Sequence, residues 1–111
     1  MMQKLVNYHS NLTHGTVFRF PGSYPHEKYV DLILVEFPDS DRKFGLVVST
    51  GHKAGLILIK LPKEAESNNF AGIDRQWVID NWNKWIYETC NVDDVYVIQN
   101  YPIPVIDYSK P

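Results

Sequence analysis

Tyr29-Val-Asp-Leu-Ile-Leu-Val-Glu-Phe37 is the stretch on which the fold turns. In an extended chain Tyr29, Asp31, Ile33, Val35 and Phe37 share one face, and Val30, Leu32, Leu34 and Glu36 share the other. Both sets are largely apolar, so the strand is expected at the centre of a sheet. Working outward, Pro38-Asp-Ser-Asp-Arg42 reads as a turn and Phe44-Gly-Leu-Val-Val-Ser-Thr50 as a returning strand. Gly51-His-Lys-Ala-Gly55 reverses the chain again, and Leu56-Ile-Leu-Ile-Lys-Leu61 forms a third long strand ended by Pro62. Two short connections in succession favour an antiparallel meander. Upstream, Gly15-Thr-Val-Phe-Arg-Phe20 alternates as a short strand closed by Pro21-Gly22, and Pro25 leads into the central strand. Residues 1–14 are polar and read as a loose lead-in.

Past a polar surface loop over 63–72, the pattern changes period. Val78, Trp82, Trp85, Ile86 and Thr89 form one helical stripe, predicting a main helix over about Asp74 to Thr89 that packs on the sheet. Asp74 is placed to cap it, accepting from the free N–H groups of the first turn. Trp77 falls on the opposite face with Asn81, Lys84 and Glu88, and Tyr87 lies off the stripe beside Asp80 and Asn83. An aromatic residue there either packs under a loop or waits for a partner. Val95-Tyr-Val-Ile98 reads as a further strand, and Pro102 with Pro104 makes 101–111 an extended tail. The expectation is one α+β domain over 1–111, with about five or six antiparallel strands and one main helix on one face.

Composition narrows the chemistry. With 111 residues, 44% hydrophobic and 22% charged, the chain is a folded soluble domain rather than a disordered one. One cysteine excludes an internal disulfide and a four-cysteine zinc module. No apolar run approaches the roughly 20 residues of a membrane span, and the N-terminus lacks a signal-peptide core, so a cytoplasmic location is expected. A net charge of −2 gives no general attraction to nucleic acid. His9, His14, His26 and His52 show no helical i, i+4 pairing, and no metal or cofactor is expected. Cys90 follows the helix end, where the dipole disfavours a thiolate, and reads as a packed thiol. No acid–base pair or nucleophile has catalytic context, so no catalytic residue is assigned.

Two surfaces remain as candidates. Ser49, Thr50, His52 and Lys53 sit on a glycine-flanked hairpin that could serve a small enzyme or anionic-ligand-binding domain, or form a contact loop; it lacks a following helix, as a phosphate loop requires. The second is electrostatic. Residues 62–94 carry seven acidic residues (Glu64, Glu66, Asp74, Asp80, Glu88, Asp93, Asp94) against Lys63, Arg75 and Lys84. That segment is −4 and the remainder of the chain +2. Such a face is either simply solvated or complementary to a basic partner.

Three segments together carry a resemblance: Lys43-Phe-Gly-Leu-Val-Val-Ser-Thr-Gly-His-Lys-Ala-Gly-Leu-Ile57, Leu61-Pro-Lys-Glu64 and Trp77-Val-Ile-Asp-Asn-Trp-Asn-Lys-Trp-Ile-Tyr87. In order and combination they resemble the small immunity proteins of bacterial polymorphic-toxin and contact-dependent growth-inhibition systems, specifically immunity protein family forty-five. The likeness runs from about Gly15 to Ile98. It implies a non-enzymatic protein that binds the toxin domain delivered by a neighbouring cell, often a nuclease, and blocks its active site or substrate groove; direct contact with nucleic acid or membrane is not expected. No family active site exists to carry over. The toxin-binding residues expected are therefore those of the acidic segment, Asp74, Trp77, Asp80, Tyr87, Glu88, Glu64, Glu66, Asp93 and Asp94. The weak net charge departs from the strongly acidic type of nuclease inhibitor and leaves open a less electrostatic interface or a toxin that is not a nuclease.

Overall fold

Six strands pair antiparallel in one sheet: β1 (Gln3–Lys4), β2 (Val17–Pro21), β3 (Tyr29–Glu36), β4 (Phe44–Val48), β5 (Ile57–Lys60) and β6 (Tyr96–Ile98). The computed structural model describes residues 2–23, 28–38, 40–101 and 109. Their order is β1-β6-β2-β3-β4-β5, so β2 to β5 form the expected meander and β3 is internal. The last strand, β6, returns to pair with β2 and takes the two-residue β1 on its outer side. Pro25 and His26, and all of the expected extended tail except Tyr101 and Ser109, lie outside the described residues.

Register explains the two faces. Phe18 stands opposite Leu32 and Phe20 opposite Val30, while Leu46 and Val48 face Leu34 and Leu32 across the other edge of β3. All of these side chains are buried. On the other face Arg19 pairs with Asp31 and Tyr96 with Arg19, which sets a polar row across β6, β2 and β3.

The helix covers the apolar face, and it is shorter than the periodicity implies. An α-helix spans Arg75–Asn81 (α1), and Trp82–Ile86 continue it as a π-turn closed by Tyr87 N–H on the Trp82 carbonyl at 2.9 Å. The expected continuation to Thr89 fails for a local reason. Asn83 Nδ2 donates to the carbonyls of Tyr87, Glu88 and Cys90, which holds 87–90 in a non-helical path. Asp74 caps as expected, its carboxylate accepting from Trp77 N–H at 3.1 Å. Asp74→Ala is expected to cost about 1 kcal/mol of stability. Urea denaturation should show this as a lower midpoint at an unchanged slope.

The lead-in reading needs correction. Leu5, Tyr8 and Leu12 are buried against the core. Leu5 N–H donates to the Val95 carbonyl at 2.8 Å, and Ile73 N–H donates to the Leu12 carbonyl at 3.0 Å. Arg75 Nη1 reaches the Val6 carbonyl at 3.2 Å, tying the segment to the start of the helix. Three apolar residues spaced among Asn, His and Ser give little periodic signal, yet each fills a site made by distant elements.

Candidate functional site

Each residue of the acidic segment has a definite place. Lys63–Ala65 form a 3-10 turn that packs beside α1, with Ala65 buried beneath it. This brings Glu64, Glu66 and Asp74 around one polar depression of about 250 Å³, shared with Ser67, Asn68 and Asn69. Asp80 is exposed and accepts from Gln76 Nε2 at 2.9 Å, one helical turn back. Glu88 is exposed beyond the helix, and Asp93 and Asp94 are exposed on a second 3-10 turn, Val92–Asp94. Among the described residues Arg19–Asp31 is the only ion pair. None of the seven carboxylates of this segment is therefore neutralised by a salt bridge there.

The aromatic residues sort differently from the helical projection. Trp82 is fully buried, its ring 5.2 Å from Phe20 and 6.1 Å from Phe18. Trp85, expected in the core, lies half-buried at its rim, where its ring meets that of Trp77 at 5.9 Å. Tyr87 packs on Phe20 at 4.6 Å, and its hydroxyl accepts from Ser23 N–H at 3.0 Å. The π-turn is the reason: at more residues per turn than an α-helix, it rotates everything after Trp82 out of the expected phase. Tyr87 thus closes the core over the β2 end, while Trp77 and Trp85 form an aromatic pair at the rim.

The hairpin residues do not converge. Thr50 Oγ1 accepts from Asp31 N–H at 3.1 Å, and Ser49 Oγ donates to the Asp31 carbonyl at 3.3 Å. Both hydroxyls serve the neighbouring strand, and Ser49 Oγ also meets the Tyr101 hydroxyl at 2.5 Å. His52 is exposed and Lys53 half-buried, both on a 3-10 turn, Gly51–Lys53. Gly51 and Gly55 have φ of 68° and 92°, so backbone geometry accounts for both glycines. Cys90 is buried, and that burial pushes its thiol pKa up, with Asp94 adding to the shift. His14 Nδ1 accepts from Glu36 N–H at 2.9 Å, and no metal-holding cluster of His, Cys, Asp or Glu occurs among the described residues. No helix among the described residues is long and apolar enough to cross a membrane.

A third site lies on the sheet face away from the helix. Asp31 is 1% exposed, and its carboxylate accepts from Arg19 Nε at 2.7 Å, Arg19 Nη2 at 2.8 Å and the Tyr101 hydroxyl at 2.8 Å. The Arg19 pKa is held above its ordinary value chiefly by that carboxylate bond, against a smaller opposing effect of burial. Burial raises the Tyr101 pKa. Beside the pair opens a cavity of about 440 Å³, walled by Met2, Pro21, Tyr29 and Tyr96 and floored by Arg19 and Asp31. Strand alternation places Asp31 on a face and by itself gives Arg19 no role. The signal was there, because a charge amid apolar strand residues requires a partner.

Comparison with other proteins adds one result. No curated protein and no solved structure matches the chain. Residues 5–97, from the buried Leu5 into β6, match the family described as Immunity protein 45. The chain belongs to that family and is an immunity protein with a toxin-neutralising role.

Proposed function

We infer that this immunity protein neutralises a basic, nucleic-acid-cleaving toxin domain by direct one-to-one binding, without catalysis, in the cytoplasm of the producing cell. Delivery of that toxin by a contact-dependent or polymorphic-toxin system fits the same reading. The observation that carries it is the acidic surface, whose seven carboxylates lack salt-bridge partners among the described residues. Enzymes that grip phosphate backbones present cationic grooves, and an unneutralised carboxylate face is their electrostatic complement. Glu64, Glu66 and Asp74 supply one cluster, with Asp80, Glu88, Asp93 and Asp94 around the helix and the following turn. The Trp77–Trp85 pair supplies an aromatic anchor of the kind that dominates interface energetics. Tyr87 contributes as support for this surface, since its hydroxyl is engaged with Ser23.

The test uses the toxin domain encoded beside this gene. Purified chain and toxin should form a stable complex by calorimetry. Asp80→Lys with Glu88→Lys should slow association about tenfold, and more at low salt than at high. Trp77→Ala should raise the dissociation rate instead. Unchanged affinity in all three substitutions combined would place the contact surface elsewhere.

A further inference from the structure

We propose that the cavity on the open sheet face is a second toxin contact, built to take a carboxylate-bearing side chain from an extended acidic segment of the toxin. Three observations converge on it. The first is an unspent donor: Arg19 commits Nε and Nη2 to Asp31, while among the described residues Nη1 has only the Met2 thioether at 4.0 Å. A guanidinium pinned on one edge by a buried carboxylate is already oriented, so an incoming carboxylate finds ordered N–H donors.

The second is charge. Lys4 pairs directly with Tyr96 across β1 and β6 and so shares its face, and the Lys28 ammonium lies 5.7 Å from the Tyr29 ring centroid. The only carboxylate lining the cavity among the described residues is Asp31, already matched by Arg19. Among the described residues, Lys4 and Lys28 at the rim, with the Arg19–Asp31 pair between them, leave this side of the molecule cationic where the helix side is acidic. The complement is an anionic group.

The third is the wall. Tyr29 is 54% exposed, Tyr96 37% and Met2 47%, grouped around the arginine. Tyrosine and arginine are the residue types enriched at binding hot spots, and apolar walls exclude water from a central charged bond. The matching occupant is an acidic side chain with aliphatic neighbours in extended peptide.

The proposal rests on the immunity reading, and its test separates the two. Arg19→Ala would strand a buried carboxylate and test folding as much as binding, so the substitutions belong at the exposed rim. Tyr29→Ala with Tyr96→Ala, and separately Lys4→Glu with Lys28→Glu, should each weaken the toxin complex about tenfold or more. In parallel, the acetylated and amidated peptide Ala-Leu-Glu-Leu-Ala is titrated into labelled protein. It should shift the Arg19 Nε–H and Met2 methyl signals, and its glutamine analogue should do so about tenfold more weakly. Toxin affinity within twofold of wild type in both rim variants overturns this proposal alone. Failure of the toxin to bind wild-type protein overturns the immunity mechanism and this proposal together. Concentration-dependent self-association abolished by Lys4→Glu with Lys28→Glu would make the occupant a second copy's acidic face, and overturn it also.

Discussion

Trp82→Ala is expected to lower the unfolding free energy by about 4 kcal/mol, within the roughly 3–5 kcal/mol range for truncating a buried large aromatic. The indole is fully buried between Phe18 and Phe20, and its loss opens a cavity where the helix meets the sheet. Trp82 also carries a penalty, because its Nε1–H is buried without a hydrogen-bond partner among the described residues. An unsatisfied buried donor costs about 1–3 kcal/mol. Alanine and phenylalanine both remove that donor, but Trp82→Phe keeps an aromatic ring in the site, so its net cost should be about 2 kcal/mol smaller than that of alanine. Urea denaturation of both variants by far-ultraviolet circular dichroism decides the matter. Equal losses would mean that a phenyl ring recovers none of the packing the indole supplies, and would overturn this account.

Arg19→Ala is the second large effect, with an expected loss of about 3 kcal/mol. Breaking a buried ion pair costs roughly 3–5 kcal/mol because the remaining charge is stranded. The low end applies here: Arg19 is 37% exposed, and water reaches part of the vacated space, whereas the Asp31 side chain is 2% exposed. The Tyr101 hydroxyl remains as one donor to the carboxylate. Substituting both partners, Arg19→Met with Asp31→Leu, should recover most of the loss, since an apolar pair of similar volume is often neutral or stabilising. A double-mutant cycle should thus show strong positive coupling between the two sites. Additive losses would mean that each residue acts through separate contacts.

The strands were legible because their signals are local. Alternation in Tyr29–Phe37, the Pro38 turn and the glycines at 51 and 55 each act over a few residues, and the strand positions follow them. Asp74 was legible as a cap for the same reason, as a carboxylate three residues before the N–H it accepts from. The helix end was not. It depends on Asn83 reaching the carbonyls of Tyr87, Glu88 and Cys90, a contact without a periodic signature. One π-turn then rearranged the aromatic assignments. Trp85 moved from the core to its rim, and Tyr87 moved onto Phe20.

The candidate surfaces divide along the same line. The chain's sequence by itself determined the acidic character of residues 62–94, the α+β architecture and the central place of the Tyr29–Glu36 strand. These follow from composition and from side-chain periods of about 2 and 3.6, which any short window contains. Only the tertiary structure decided that Leu5, Tyr8 and Leu12 belong to the core, and that Arg19 and Asp31 meet under Tyr101. The same holds for the cavity that opens beside that pair. Arg19 meets Asp31 through the β2–β3 pairing and Leu12 is held by Ile73, while the place of Leu5 and the Tyr96 wall of the cavity depend on β6 returning to lie between β1 and β2, a pairing of segments more than 75 residues apart. Register across such a distance is set by which faces bury together, and that is a property of the assembled sheet.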